Sequence, residues 1–180
     1  METAAKTVWN IDPTHSEIQF KVKHLVISTV TGHFREFEGT VETEGDDFAT
    51  GSIYFAANTA SIDTNQPQRD EHLRSAEFFD SEKYPKMTFQ STRVEKTGEE
   101  SYKVTGDLTI KDITKSIELK AEYGGSMTDF YGNYKSGFEI TGKINRKEFG
   151  LTWNAVTEAG GVVVADDVKL ALNVQIARPA

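Results

Sequence analysis

The sequence predicts an all-β protein whose antiparallel strands bury one face and expose the other. About eight segments alternate apolar and polar residues with a period of two, short turns join most of them, and no linker or repeat interrupts the 180 residues. Such alternation is typical of an antiparallel sheet with one wet face. A sheet of about eight strands loses both edges by closing into a barrel, and a two-sheet sandwich gives the same pattern.

The strands begin close to the N-terminus. Residues 8–12 form a short strand and residues 16–24 the first long one. Residues 25–30 are apolar but fit neither period, so a turn or a short helix is expected there. Further strands are expected over residues 35–43, 52–58, 87–92, 102–110, 116–123, 138–146 and 168–176, with longer irregular connections over 124–134 and 153–164.

One stretch, residues 61–85, does not alternate. Pro67 stands where a proline fits the first turn of a helix, so a short helical insert is expected near residues 65–80. Phe78 and Phe79 follow and must be buried. The insert therefore is expected to cover one open end of the barrel or sandwich.

The length of 180 residues fits one domain spanning residues 1–180, with residues 1–6 as a loose tail. Lysine and arginine number 20 against 28 aspartates and glutamates, which gives a net charge of −8. This charge repels phosphate backbones, so nucleic acid is not expected as a partner. The absence of cysteine excludes disulfides, thiolate nucleophiles and cysteine-bound zinc.

No apolar run approaches the length of a membrane span, so stable membrane insertion is not expected. The first residues, METAAKT, lack the apolar region of a signal peptide. A cytoplasmic location is expected for the chain as written, and a periplasmic one if a leader has been removed.

Catalytic motifs are missing from the sequence. The histidines His15, His24, His33 and His72 include no i, i+4 pair, and neither a HExxH nor a GxSxG motif occurs. Paired acids occur only in expected turns. No catalytic residue, metal or cofactor is therefore predicted.

Glycines interrupt three of the apolar rows, at Gly39, Gly106 and Gly142. Such glycines can mark bends or bulges that let a barrel curve. They can also widen a tunnel, and the two roles are compatible.

Four polar side chains could meet the polar head of a ligand. His24 and Arg146 end apolar rows, and Arg69 and His72 lie on the insert. Their structural roles would be a hydrogen-bonded strand end for His24 and a solvated helix face for the insert pair. Arg146 cannot lose its charge, so it needs a partner such as Asp70 or a ligand phosphate.

Five segments carry a resemblance to a known family, in order from about Val8 to Ile176. They read WNIDPTHSEIQFKVKHL, GHFREFEG, SIDTN…RDEHLRSAEFFD…YPKMTF, GDLTIKDIT and GFEITGKINRKEFGL. They closely resemble the YceI-like proteins of bacteria, except that Asp112 stands where a glycine is expected. The resemblance implies a lipocalin-like barrel whose apolar tunnel binds a long polyisoprenoid as free chain, quinone or prenyl phosphate. It also implies a homodimer.

Mapped onto the inward rows, the resemblance implies a tunnel lined by fifteen residues: Ile18, Phe20, Val22, Phe37, Val41, Ile53, Phe55, Phe89, Leu108, Leu119, Phe138, Ile140, Ile144, Leu170 and Leu172. The expected function is binding, sequestration or transport of an isoprenoid lipid without catalysis. The alternatives are an enzyme acting on a bound isoprenoid and a ligandless, stress-related barrel.

Overall fold

A computed structural model describes residues 6–25, 27–152 and 164–179. One α-helix, α1, spans Pro67–Arg74, and short 3₁₀ turns cover Pro13–His15, Thr59–Ser61 and Arg146–Phe149. The strands are β1 Lys6–Ile11, β2 Glu17–His24, β3 Ser28–Phe34, β4 Phe37–Glu44, β5 Asp47–Asn58, β6 Ile62–Asp63, β7 Lys86–Lys96, β8 Ser101–Ile110, β9 Ile113–Thr128, β10 Asn133–Asn145 and β11 Val164–Pro179.

These strands form one closed antiparallel sheet. The ring runs β1-β4-β5-β7-β8-β9-β10-β11 and returns from β11 to β1, where Asn10 pairs with Ala177. Strands β1 and β2 are two halves of one position, separated by the 3₁₀ turn Pro13–His15, and β2 also pairs with β11. In the same way β3 and β4 are two halves of one position in the ring, and β5 and β6 are two halves of another. The predicted barrel of about eight strands is confirmed, and the sandwich alternative is wrong.

Two expected connections are shorter than expected, because strands extend into them. Of the turn or short helix expected at 25–30, the turn is present at Leu25 and Ile27, but the expectation is wrong from Ser28, where β3 begins and pairs with β2 in a tight hairpin. The loop expected at 124–134 is shorter and covers residues 129–132, since β9 continues to Thr128 and β10 begins at Asn133. Of the irregular stretch expected at 153–164, residues 153–163 lie outside the described residues, and Val164 already belongs to β11.

The hairpin turns lie at two opposite ends of the barrel because neighbouring strands run in opposite directions. We call the end with the turns at 45–46, 97–100 and 129–132 the plug end. The other end carries the β2–β3 turn, the insert and the β8–β9 turn, and we call it the insert end.

The helical insert is confirmed, although α1 is shorter than residues 65–80. It begins at Pro67, and the side chain of Gln66 caps it by accepting a hydrogen bond of 2.9 Å from the backbone N–H of Arg69. Phe78 and Phe79 follow the helix and are only 6% and 8% exposed. The edge of the Phe79 ring contacts Phe34 of β3, with 5.8 Å between centroids.

An aromatic cluster fills the plug end of the barrel. Trp9 is completely buried and donates from Nε1 to Thr43 Oγ1 at 3.0 Å. Its ring lies 5.3 Å from that of Phe48, which in turn lies 5.0 Å from Phe138. We call the connected set the aromatic plug, and its members are Trp9, Phe48, Tyr123, Tyr134 and Phe138.

The outer surface of the plug is capped by a charged pair. The Arg178 guanidinium lies over the rings of Trp9 and Tyr134, 5.3 and 4.5 Å from their centroids. It also donates two 3.0 Å hydrogen bonds to the Asp46 carboxylate. A bidentate pair of this kind is geometrically specific, so it holds the cation over the plug.

The junction between β1 and β2 depends on Asp12. Its carboxylate accepts hydrogen bonds from Lys135 Nζ at 2.6 Å and from the backbone N–H of Thr14 at 3.0 Å, and it lies 2.8 Å from His15 Nδ1. Partial burial favours the neutral acid, but the hydrogen bonds from Lys135, Thr14 and His15 outweigh it and hold the pKa of Asp12 well below its usual range. Asp12 thereby ties the interrupted strand to β10.

We expect Asp12→Asn to destabilise the protein at neutral pH. Because the carboxyl pKa is lower in the folded chain than its unfolded value of about 3.9, its contribution is complete above that value and is lost as the pH falls further. The substitution should lower the free energy of unfolding by about 2 kcal/mol at pH 7. Denaturant titrations of both proteins at several pH values measure this difference, which should shrink steadily below about pH 4.

The matched control is Asp112→Asn in the exposed β8–β9 turn. It should change the free energy of unfolding by less than about 0.5 kcal/mol. An Asp12→Asn loss that stays constant down to pH 2 would contradict the ionic role of this carboxylate.

Candidate ligand-binding site

The barrel encloses an apolar cavity of about 250 Å3, which we call the lumen. It extends from the insert, where Leu73, Phe78 and Phe79 border it, to the inner side of the aromatic plug at Phe48 and Phe138. A cavity of this size holds more than a few waters, and its wall offers them few hydrogen-bond partners. The lumen therefore suits an apolar guest.

The structure brings most of the predicted lining residues together. Fourteen of the fifteen border the lumen: Ile18, Phe20, Val22, Val41, Ile53, Phe55, Phe89, Leu108, Leu119, Phe138, Ile140, Ile144, Leu170 and Leu172. Phe37 does not border it; its ring packs 6.2 Å from that of Phe55. The role of these residues in ligand binding stays a prediction.

Several residues that line the lumen were not predicted from the sequence. Phe34 lies on β3, where no strand was expected. Phe48 lies on β5 before the expected strand start, next to a register shift in the pairing of β4 with β5. The signal for that irregularity was Gly51, because a Cβ there would lie 2.9 Å from the Phe48 carbonyl oxygen.

Glycines in the barrel wall leave room for rings to lie flat. A Cβ added to Gly106 would lie 2.4 Å from Phe89 Cζ and 2.6 Å from the Gln90 carbonyl oxygen. The Phe89 ring therefore rests against the wall instead of crossing the lumen. Gly32 has the same relation to Phe20, with 2.2 Å from the added Cβ to Phe20 Cζ.

The other predicted glycines make similar contacts. A Cβ on Gly142 would lie 2.5 Å from a methyl group of Leu119, and one on Gly39 would lie 3.3 Å from the Tyr54 carbonyl oxygen. The bulge role is also present, because the pairing of β7 with β8 shifts between Ser91 and Arg93, beside Gly106. Gly106 therefore combines both roles, since it leaves room for a ring and lies beside an irregular stretch of β7.

Arg146 is the one charged side chain among the described residues of the lumen wall. It is 3% exposed, and its guanidinium donates hydrogen bonds to backbone carbonyl oxygens of Ala165 at 2.8 Å, Leu151 at 2.6 Å and Val164 at 3.2 Å. Burial lowers the pKa of Arg146, and the nearby Asp166 carboxylate opposes this effect. Arg146 thus ties the 3₁₀ turn after β10 to the start of β11.

The three other predicted head-group residues do not border the lumen. Arg69 donates to the hydroxyl and carbonyl oxygens of Thr64 at 2.7 and 2.6 Å. His72 pairs with Glu77, 2.5 Å from Nε2 to Oε2, on the outside of the insert. His24 is half-buried at the end of β2.

The carboxylate suggested as a partner for Arg146 is bound elsewhere. Asp70 is buried and accepts hydrogen bonds from the backbone N–H and the hydroxyl group of Thr64, at 2.8 and 2.5 Å. It therefore stabilises the start of the insert together with Arg69.

The described residues offer little for metal chemistry. Within residues 6–25, 27–152 and 164–179, no three histidines, aspartates or glutamates lie close enough together to hold a metal ion.

Over those same ranges, none of the helices has the length and apolar character needed to cross a membrane.

Comparison with known proteins assigns the family. The family model described as the YceI-like domain matches residues 9–176. The chain belongs to the YceI-like family. A relative named a UPF0312 protein, from Pectobacterium atrosepticum, is 38% identical over 172 residues, which cover 96% of this chain and 86% of that protein.

Solved structures share the barrel of this YceI-like protein. The Campylobacter jejuni YceI protein is 33% identical, with a TM-score of 0.75 and coverage of 88% of this chain and 90% of that one. A polyisoprenoid-binding domain from Saccharophagus degradans has a TM-score of 0.70 at 15% identity, with coverage of 96% and 99%. At that identity the second likeness shows the fold.

We expect Gly106→Ala to destabilise the barrel, because the added methyl group meets the Phe89 ring and the backbone oxygen of Gln90. Overpacking of this kind should lower the free energy of unfolding by about 1–3 kcal/mol. The control is Gly98→Ala, whose Cβ would lie at an ordinary 3.5 Å from Ser101. Denaturant unfolding of the two variants measures the difference, and equal stabilities would contradict the described fit between Gly106 and Phe89.

Proposed function

We propose that this YceI-like protein binds a long-chain isoprenoid lipid in its lumen and carries or sequesters it without changing it chemically. The observation that supports this most is the apolar lumen itself, about 250 Å3 in volume and bordered along its length by aliphatic and aromatic side chains. The polyisoprenoid-binding domain from Saccharophagus degradans, which has the same fold, adds support for the ligand class.

The apolar chain supplies the affinity in this proposal. Burying one methylene group contributes about 0.8 kcal/mol, so ten carbons contribute about 8 kcal/mol, which corresponds to a dissociation constant near 1 μM before ordering costs. An isoprenoid chain is long enough to provide this. The head group then decides selectivity between ligands more than affinity.

The polar head of the ligand lies at the insert end in this proposal. The aromatic plug fills the other end, and the guanidinium of Arg146 already donates to three carbonyl oxygens. An ionic head inside the apolar lumen would lose its hydration without gaining an ion-pair or hydrogen-bond partner. A neutral quinone also avoids the repulsion that the net charge of −8 imposes on a prenyl diphosphate.

Binding without catalysis fits the side chains of the wall. No described histidine, aspartate or glutamate borders the lumen. His72, the residue that an enzymatic alternative needs on the insert, pairs with Glu77 on the outer surface. A general acid or base would have to reach its substrate within hydrogen-bond distance, and His72 is not placed to do so.

Organic extraction of the protein purified from its native host tests the ligand class. We expect mass spectrometry of the extract to show an isoprenoid chain in an amount comparable to the protein. An extract without isoprenoid, from a protein that also takes up no added geranylgeraniol, would contradict the proposal.

The substitution Ala121→Phe tests whether the lumen is the binding site. Ala121 borders the lumen on β9 and is 5% exposed, so a phenyl ring there occupies ligand space. Geranylgeraniol affinity should fall at least about tenfold, equivalent to 1.4 kcal/mol.

The control for that substitution is Ala171→Phe on β11. Ala171 lies between the lumen-lining Leu170 and Leu172 but does not itself border the lumen. Its phenyl ring should leave the affinity unchanged. Equal affinities of the two folded variants, checked by thermal unfolding, would place the ligand outside the barrel.

A further inference from the structure

A lipid that enters this barrel has to come through the insert end. The aromatic plug and the Arg178–Asp46 pair fill and cap the opposite end. At the insert end, the β2–β3 hairpin continues directly from the lumen wall, because Phe20 and Val22 of β2 border the lumen. The turn of this hairpin therefore stands beside the entrance.

Two apolar side chains of this turn face solvent. Leu25 is 41% exposed and Ile27 is 85% exposed. We call these two residues the apolar tip. Leu25 also has a backbone φ of 54°, in the left-handed region that favours glycine, asparagine and aspartate. The turn geometry thus disfavours leucine. Because the side chain of Leu25 is exposed, its burial does not compensate for this strain.

Lysines surround the apolar tip on the outer surface. Lys21 and Lys23 lie on the exposed face of β2, and Lys169 of β11 pairs directly across from Lys21. The acids nearby on β11 are already neutralised, since Asp166 pairs with Lys147 and Asp167 with Lys143. A protein of net charge −8 therefore carries a local cationic patch next to its apolar tip.

Exposed aliphatic side chains flanked by lysines are the combination that binds an anionic bilayer surface. The apolar groups enter the interface between head groups and acyl chains, and each lysine near the surface adds electrostatic attraction. The aliphatic part of a lysine side chain can also lie along an apolar surface while its ammonium group stays in water.

We propose that the apolar tip and its three lysines dock the protein on an anionic lipid surface, with the lumen entrance facing the bilayer. Leu25 and Ile27 enter the interface, and Lys21, Lys23 and Lys169 contact anionic head groups. An isoprenoid chain then passes between bilayer and lumen without crossing water. This inference rests on the proposed lipid-binding function and adds the source from which the ligand is taken.

The plug end provides a comparison within the same molecule. Phe130 and Tyr131 at the β9–β10 turn are fully exposed, so they offer more apolar surface than the apolar tip. Their end of the barrel is acidic, however, and an anionic bilayer repels it. Exposed acids in and beside the turns of that end are Glu44, Asp47, Glu99 and Glu100, and Asp46 pairs with Arg178.

Two matched double variants test the docking surface: Leu25→Ser with Ile27→Ser, and Phe130→Ser with Tyr131→Ser. Co-sedimentation with vesicles of phosphatidylcholine and phosphatidylglycerol, free of isoprenoid, measures docking. The first variant should bind these vesicles at least about tenfold more weakly than the unmodified protein, and the second should bind them equally well. Lys21→Glu with Lys23→Glu should weaken binding to these vesicles, and added salt should weaken the binding of this variant less than that of the unmodified protein.

Transfer of geranylgeraniol from the same vesicles should slow about tenfold in the first variant, while uptake of geranylgeraniol added directly in solution should be unchanged. Unaltered vesicle binding by the first variant, or a loss caused by the Phe130 and Tyr131 substitutions, would overturn the docking surface. Because docking is read on vesicles without isoprenoid, a protein that docks but takes up no geranylgeraniol contradicts the proposed function and leaves the docking surface supported.

Discussion

The closure of the sheet is the constraint on which the rest of this structure depends. Strand β11 pairs with β1 as well as β2, so the ring closes and the apolar faces of its strands point at the opposite wall. No second layer covers that face. With eight strands, the distance across the ring leaves room for side chains or one slender ligand. Side chains that lie flat against the wall leave the middle of the ring free for a ligand, and side chains that extend inward fill it.

Glycine and aromatic residues together keep the middle of the ring open and one end shut. Rings that rest on glycine, such as Phe89 on Gly106 and Phe20 on Gly32, stay against the wall. At the plug end the Phe48 ring instead meets the rings of Tyr123 and Phe138 across the barrel. Among the described residues, the insert covers the other end by a short helix and loop, which pack through Phe78 and Phe79. This asymmetry is the basis for proposing that a ligand enters at the insert end, beside the cationic hairpin.

Alternation in the sequence was sufficient to predict antiparallel strands with one apolar face, and its interruption predicted the insert. The choice of a barrel over a sandwich, and the lumen lining of which fourteen residues border the cavity, came from the family resemblance. Alternation failed on β3 and at the irregular start of β5. On β3, Gly32 stands between Val30 and Phe34 in the inward row, which hides the period. The role of Arg146 could be predicted only as a need for partners, because the carbonyl oxygens that satisfy it lie up to 19 residues away in a different strand.

A crystal structure of the protein grown with geranylgeraniol tests the central claim most directly, since that claim is that the barrel wall encloses space for an isoprenoid chain. The account predicts one continuous ligand along the lumen, with its tail against Phe48 and Phe138 and its hydroxyl group at the insert end. A lumen filled by the protein's own phenylalanine and leucine side chains, with the alcohol elsewhere or not bound, would contradict it.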